Sequence, residues 1–345
     1  MKAAMFYGPG DLRIEEIARV EAGPGEIRVQ VAAAATCGTD LKSYRRGHPK
    51  LFRTLPARFG HEFAGVVADV GDGVTRFRPG MRVVAANTAP CGSCWACTIG
   101  RESLCENLEF LNGAFAEEVV IPRAIVGRNT YQLPDHLSFE AAAPLEPLAT
   151  VVHGVAEADI QLGDTVVVHG AGPIGLMFIR LATLRGASVV SVDRSAFRLR
   201  EAQACGASDV IDLSDLVDPE AIVQAVKDRT PGARGADVSI EAVGLPQVWE
   251  QAVRTLRPGG TALLFGGTPP GAMFSIDSSA MHYLEYTLKG VFHHTPRHVQ
   301  TAVNLLSTGA VDGESLVTEI RSLDDLIPSL EDMAAGRGSK YVLKP

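Results

Sequence analysis

Residues 163–195, GDTVVVHGAGPIGLMFIRLATLRGASVVSVDRS, read as strand, tight turn, helix and second strand. Thr165 to His169 is a short β-branched run, and Gly170, Gly172 and Gly175 follow it in G-x-G-x-x-G order. Ile174, Met177, Phe178, Leu181 and Leu184 then recur at helical spacing. Ser188 to Val192 is a second strand that ends on Asp193. The first glycine makes the turn, the second lets backbone approach a pyrophosphate, and the third lets helix and strand pack. The helix N-terminus offers N–H groups and partial positive charge to that phosphate. Asp193, 18 residues past Gly175, stands where an acid hydrogen-bonds the ribose 2′-OH of NAD and repels the extra phosphate of NADP. Arg194 and Arg198 follow closely, and an arginine there could instead receive that phosphate. NAD is expected ahead of NADP.

Working outward, DVSIEAVG (237–244), TALLFGG (261–267) and LEYTLKGVF (284–292) read as strands. PEAIVQAVKDR (219–229) and PQVWEQAVRTL (246–256) have helical periodicity. Alternating strands and helices predict an α/β fold, a doubly wound parallel sheet over about 149–291. The N-terminal part is richer in Gly, Pro and short β-branched runs and predicts a compact β-rich domain. The last fifty or so residues are expected to fold back onto it.

A chain of 345 residues is long enough for two domains. Its net charge of −8 excludes wholesale nucleic-acid binding, which needs a basic face. The opening MKAAMFYGPGDLRIEE has no apolar stretch of the secretory kind, and no run approaches a membrane span. No membrane partner is therefore expected. The expected location is cytoplasmic, where thiols stay reduced and six cysteines do not make a disulfide framework.

Four of those cysteines fall in CGSCWACTIGRESLC, residues 91–105. Cys91, Cys94 and Cys97 keep a two-residue spacer, and Cys105 closes the set. Four thiolates complete a tetrahedral zinc shell with no open position, which makes a structural site. An iron–sulfur cluster would satisfy the same ligand count. Cys205, with no His or carboxylate beside it, reads as a small buried side chain.

Cys37 follows a strand-like EIRVQVAAAA, His61 and Glu62 stand together in FGHEFAGVV, and Glu146 lies in the apolar AAAPLEPLATVVHG. A thiolate, an imidazole and one or two carboxylates could form an open zinc site with room for water or substrate. Each signal alone is weak; their order around the glycine loop gives them weight.

That order, CGTD, GHEFAGVV, the four-cysteine lobe and GAGPIG, resembles the zinc-dependent medium-chain dehydrogenase family nearly end to end. EPLATVVHG is similar to the polyol (sorbitol) branch, and CGTDL is shared with L-threonine dehydrogenases. The resemblance implies a GroES-like catalytic domain over 1–148, a Rossmann NAD-binding domain over 149–291, and a return of 292–345 to the catalytic domain. It implies one catalytic and one structural zinc per chain and a homodimer or homotetramer. Cys37 and His61 would ligate the catalytic zinc, with Glu62 as ligand or exchange partner and Glu146 as a further ligand. Thr39 would start a proton relay from the alcohol. Thr150, Ile174, Asp193 and Arg198 would contact the cofactor. Phe265, Gly266 and Gly267, with Val291, Phe292 and His293, would line the nicotinamide pocket. The implied reaction is hydride transfer from a secondary alcohol to NAD.

Some positions depart from that pattern. Lys42 stands where relatives commonly carry the relay histidine, with His48 as a candidate substitute. His293-His294 replaces an Arg-aromatic pair, and Ser43 replaces an aromatic. The run RRGHPKLFRTLPAR, 45–58, is either a basic mouth for an anionic substrate or a solvated loop. His153, His169, His282 and His298 are given no role. A polyol or cyclitol-like alcohol is the leading substrate. A threonine-type amino alcohol and a non-catalytic nucleotide-binding relative are the alternatives.

Overall fold

Thr165–His169 is buried along its whole length, because helices cover a parallel sheet on both faces. In this computed structural model, which describes residues 1–48, 51, 52 and 54–345, the strand sits at the centre of a six-stranded parallel sheet. In chain order the strands are Thr165–His169, Ser188–Asp193, Asp209–Asp212, Ala236–Glu241, Leu256–Leu264 and Thr287–Gly290. Counted that way, they lie across the sheet as 3-2-1-4-5-6. The order reverses at the first strand, and its carboxyl end, at Gly170, is the place where sheets of this order commonly take a ligand. This sheet and its helices belong to a compact unit, Thr150–His293.

Two of the three glycines are required by the backbone itself. Gly170 has φ +97°, a region side chains rarely adopt. A Cβ on Gly175 would lie 1.8 Å from the Gly170 carbonyl oxygen, so helix Pro173–Leu184 reaches its strand only because that Cβ is missing. Pro173 begins the helix, where its fixed φ fits and no N–H is needed.

Three strands leave the sheet earlier than the sequence suggests, 237–244 already at Glu241. The stretch 261–267 leaves the sheet after Leu264, because the N–H groups of Phe265 and Gly266 turn back to the Glu241 carbonyl oxygen (3.1 and 3.0 Å). The stretch 284–292 is extended only over Thr287–Gly290. Leu284 closes the helix Ser278–Tyr283, Glu285 has φ +53°, and His293 has φ +60°. Cys205 is half-buried rather than buried, because it closes the helix Ala196–Ala204.

His169, given no role from sequence, is buried beneath the glycine loop. Its Nε2 lies 3.2 Å from Ser239 Oγ and 3.3 Å from Thr255 Oγ1. Burial pulls its pKa down to about 4. The unfolded chain therefore takes a proton near pH 6.5 that the folded chain refuses until about pH 4. Stability is fully present above that window and falls as pH drops through it, by up to about 3 kcal/mol. His169→Leu should flatten the pH dependence of denaturant-induced unfolding between those limits. An unchanged slope would show that the imidazole is not held neutral.

The other unit is Met1–Ala149 with His294–Pro345. Its main sheet is seven-stranded among the described residues and mostly antiparallel, built on Ile27–Ala35. That strand pairs with Glu62–Val70, with Glu118–Ile121 and, from the far end of the chain, with Tyr341–Lys344. Phe6, Phe59, Phe63, Phe115, Ile27 and Ile121 fill the core on one side. On the other side Ala33, Ala35, Ala143 and Val342 pack together, and the small side chains let the chain leading to Glu146 come close. Ala35 is opposite both Glu62 and Val342. One end of this sheet therefore gathers the residues just after 35, just before 63 and just before 341.

Candidate active site

That gathering brings together three of the four expected catalytic ligands. Donor atoms of Cys37, His61 and Glu62 all lie within 4.8 Å of one another. Cys37 caps the helix Gly38–Arg46: its Sγ accepts from the Thr39 N–H (3.5 Å), while Asp40 Oδ2 accepts from the Cys37 N–H (2.9 Å). Asp40 also faces His61, with Oδ1 3.1 Å from Nδ1. A carboxylate on one ring nitrogen fixes the tautomer and aims the other nitrogen at a metal. In the sequence Asp40 shows only as the last residue of CGTD.

Glu62 is fully buried, and its Oε1 has no hydrogen-bond partner among the described residues. Such an orphaned oxygen fits a metal ligand. Its Oε2 accepts from Lys340 Nζ at 2.5 Å, and the same ammonium donates to the Thr36 carbonyl at 2.7 Å. Burial pushes the Glu62 carboxyl up to about 7, against the pull of Lys340 and His61, and Glu146 adds to the rise. Burial likewise raises the Cys37 thiol. For His61 burial works downward, but Asp40 and Cys37 outweigh it and lift the imidazole well above its ordinary value. Lys340, 278 residues from Glu62, carries no local signal that sequence reading could have found.

Glu146 stands in the first turn of helix Leu145–Ala158, close enough to act on Glu62 but outside the trio. Its Oε1 is 3.9 Å from His294 Nε2. Thr39 is half-buried and Lys42 is exposed on the same helix. Ser43 is buried. His48 Nδ1 accepts from the Leu51 N–H (3.2 Å). Of the basic run, Arg45 and Arg46 are exposed, whereas Lys50 and Arg53 lie outside the described residues.

The four-cysteine lobe forms a second centre. The sulfurs of Cys91, Cys94, Cys97 and Cys105 lie within 4.8 Å of one another, and all four are free thiols. The N–H groups of Ser93 and Cys94 point at Cys91 Sγ (3.5 and 3.4 Å) and draw its pKa down to about 5. Burial sends Cys97 up to about 12. Backbone N–H groups draw Cys94 down as well, whereas burial raises Cys105 as it does Cys97, so a metal cation would be needed to ionise those two. The donor set suits a tetrahedral ion.

In the unit Thr150–His293, Asp193 is fixed by the chain around it. Its Oδ2 accepts from the Ala171 N–H (2.8 Å) and its Oδ1 from the Ser195 N–H (2.9 Å). Ile174 is partly exposed in the first helical turn, Arg198 is half-buried, and Thr150 begins the unit. Phe265 packs edge-on against Phe178, with centroids 4.9 Å apart. Phe292 is exposed beside His293.

Sequence reading missed the residue that ties the Gly266 loop down. Glu241, fully buried at a strand end, accepts from Val243 N–H (2.9 Å) and Gly244 N–H (2.7 Å) through Oε1 and from Gly266 N–H (3.2 Å) through Oε2. An acid ending a strand in the IEAVG run was its only local sign.

Residues 23–135 match the alcohol dehydrogenase GroES-like domain and residues 173–308 the zinc-binding dehydrogenase domain. The chain is 31% identical over 338 residues to sorbitol dehydrogenase of Bacillus subtilis (strain 168), covering 96% of this chain and 93% of that one. It is 33% identical over 344 residues to (R,R)-butanediol dehydrogenase of the same organism, with coverages of 95% and 94%. A solved chain from Sinorhizobium meliloti 1021, described as a zinc-binding dehydrogenase bound to NADP, superposes with a TM-score of 0.91. That chain is 32% identical, with coverages of 100% and 99%. The chain belongs to the zinc-dependent medium-chain dehydrogenase family, polyol branch. It is an oxidoreductase of the alcohol and polyol dehydrogenase class, with a GroES-like domain and a Rossmann sheet.

Proposed function

We propose that the protein oxidises a secondary alcohol of polyol or cyclitol type with NAD, at a zinc held by Cys37 and His61. The convergence of Cys37, His61 and Glu62 at one sheet end, from separate parts of the sequence, carries this reading. A zinc bound there would supply Lewis acidity toward an alcohol oxygen, and the nicotinamide would take the hydride.

The chain's own residues do the positioning. Asp40 holds the Nδ1 side of His61, which leaves Nε2 as the nitrogen that would hold a metal. Glu62 is held by Lys340 through one oxygen, which leaves the other for ligation or exchange. Glu146 serves as a further ligand, directly or through water. The Thr39 hydroxyl would accept the alcohol proton while passing its own on toward solvent. Lys42, three residues on and exposed, stands on the helix between Thr39 and solvent. The lobe cysteines Cys91, Cys94, Cys97 and Cys105 hold the structural zinc.

Preference for NAD rests on Asp193. Its carboxylate is already oriented at the strand end, where it would accept from the ribose hydroxyls and repel a 2′-phosphate. Asp193→Ala should raise KM for NAD about tenfold or more, the worth of one or two hydrogen bonds to a charged acceptor, and narrow the gap to NADP. Initial-rate kinetics with both cofactors check this. A wild type that prefers NADP, the cofactor bound to the Sinorhizobium relative, would reverse the assignment.

The relatives named for sorbitol and butanediol suggest an alcohol flanked by a second oxygen. Secondary alcohols, polyols, cyclitols and L-threonine, scored by NADH absorbance, test the class. Turnover of vicinal diols above simple primary alcohols is expected. Turnover of threonine alone would move the protein to the amino-alcohol reading. Assembly as a homodimer or homotetramer is favoured by the edge strand Thr287–Gly290 and the exposed Tyr283 and Met273 in its unit. A cytoplasmic location agrees with a site made of four reduced thiols.

A further inference from the structure

The segment joining the last parallel strand to His293 includes Val291, Phe292 and His293, the stretch expected beside the nicotinamide. Nothing in its sequence fixes its path: it leaves the sheet after Gly290, Phe292 is exposed, and His293 adopts φ +60° without being glycine. A non-glycine residue persists in that conformation only where surrounding contacts hold it.

Two of the contacts on this segment come from one face of helix Leu145–Ala158. His153 is buried, and its Nδ1 lies 2.7 Å from the His293 carbonyl oxygen. A carbonyl can only accept, so Nδ1 carries the proton. One turn further along, Glu157 Oε2 lies 2.6 Å from Lys289 Nζ, at the other end of the segment. His153 and Glu157 are also neighbours, with Nε2 and Oε1 3.8 Å apart. Positions i and i+4 share a helix face, so one rigid helix grips Lys289 and His293 and leaves Gly290, Val291 and Phe292 between the two grips.

We propose that His153 and Glu157 form a two-point clamp that sets the backbone of 290–293 for the nicotinamide half of the cofactor, with His153 as the principal positioning residue. This rests on the dinucleotide reading above. The clamp has no bearing on the adenosine half, which the Gly170 loop and Asp193 serve from the opposite side of the sheet centre.

Binding of NADH and of ADP-ribose, which lacks nicotinamide, separates the possibilities in the full chain by calorimetry. NADPH and 2′-phospho-ADP-ribose replace them if the wild type prefers those. His153→Ala should weaken reduced-cofactor binding at least about tenfold, the loss of one well-aligned hydrogen bond, and leave ADP-ribose binding within about twofold. His153→Asn, whose amide N–H can occupy the place of Nδ1–H, should restore most of the difference. If His153→Ala does not fold, Glu157→Gln releases the Lys289 end and should show the same selective loss, smaller in size. Equal weakening of both ligands, or of neither, overturns the clamp and leaves the dinucleotide reading intact. A wild type that binds neither pair overturns the dinucleotide reading and the clamp with it.

Discussion

Cys37→Ser should reduce metal content from two ions per chain to one, leave NADH binding intact and lower turnover by at least about a thousandfold. The size follows from the several kcal/mol that a Lewis acid contributes when charge develops on the alcohol oxygen. Selectivity follows from the architecture. Cys37 and the four lobe cysteines are separate clusters, so an ion held by the lobe should stay. The Gly170 loop and Asp193, proposed to bind the cofactor, belong to the other compact unit, so cofactor binding should survive. Metal analysis, NADH titration and steady-state rates on one preparation decide it. Near wild-type turnover in the variant, or full activity with only the lobe filled, would remove the mechanism.

Lys340→Met should destabilise the unit Met1–Ala149 with His294–Pro345 by about 3–5 kcal/mol, the usual cost of leaving a buried charge without its partner. Lys340 is 1% exposed and Glu62 0% exposed, so neither charge can turn to water. The substitution also deprives the Thr36 carbonyl of its ammonium donor. Pairing it with Glu62→Gln should recover most of the loss, since the amide needs no counter-charge. Denaturant unfolding of the single and double variants, followed by tryptophan fluorescence, makes a double-mutant cycle. A cost below about 1 kcal/mol for Lys340→Met would show that the ammonium does not secure Glu62. Catalytic-site metal occupancy should fall as well, because Glu62 loses the contact that aims its second oxygen.

Much of this was legible in the amino-acid order because the physics is local. The glycine spacing of 170, 172 and 175 needs only one turn and one helix to make sense, and the structure builds both there. The same holds for the cysteine spacer in 91–105 and for Asp193 at a strand end. Cys37, His61 and Glu62 were named from motifs, but motifs say nothing about distance. Their meeting depends on which strands pair, Ile27–Ala35 with Glu62–Val70, and that is a long-range choice made by the buried core.

What the residues by themselves determined is the class of chain: a parallel sheet with a glycine-rich turn, a four-cysteine lobe and a set of separated candidate donors. Only the tertiary structure decided what holds those donors in place. Lys340 meets Glu62 because a strand from the chain's end pairs beside Ala35, and His153 meets His293 because a helix crosses beside a strand exit 140 residues later. Side chains act through space within a few ångströms, whereas sequence patterns report only neighbours along the chain or one helical turn away. A lysine or histidine that serves a partner hundreds of positions distant therefore looks ordinary until the fold closes around it.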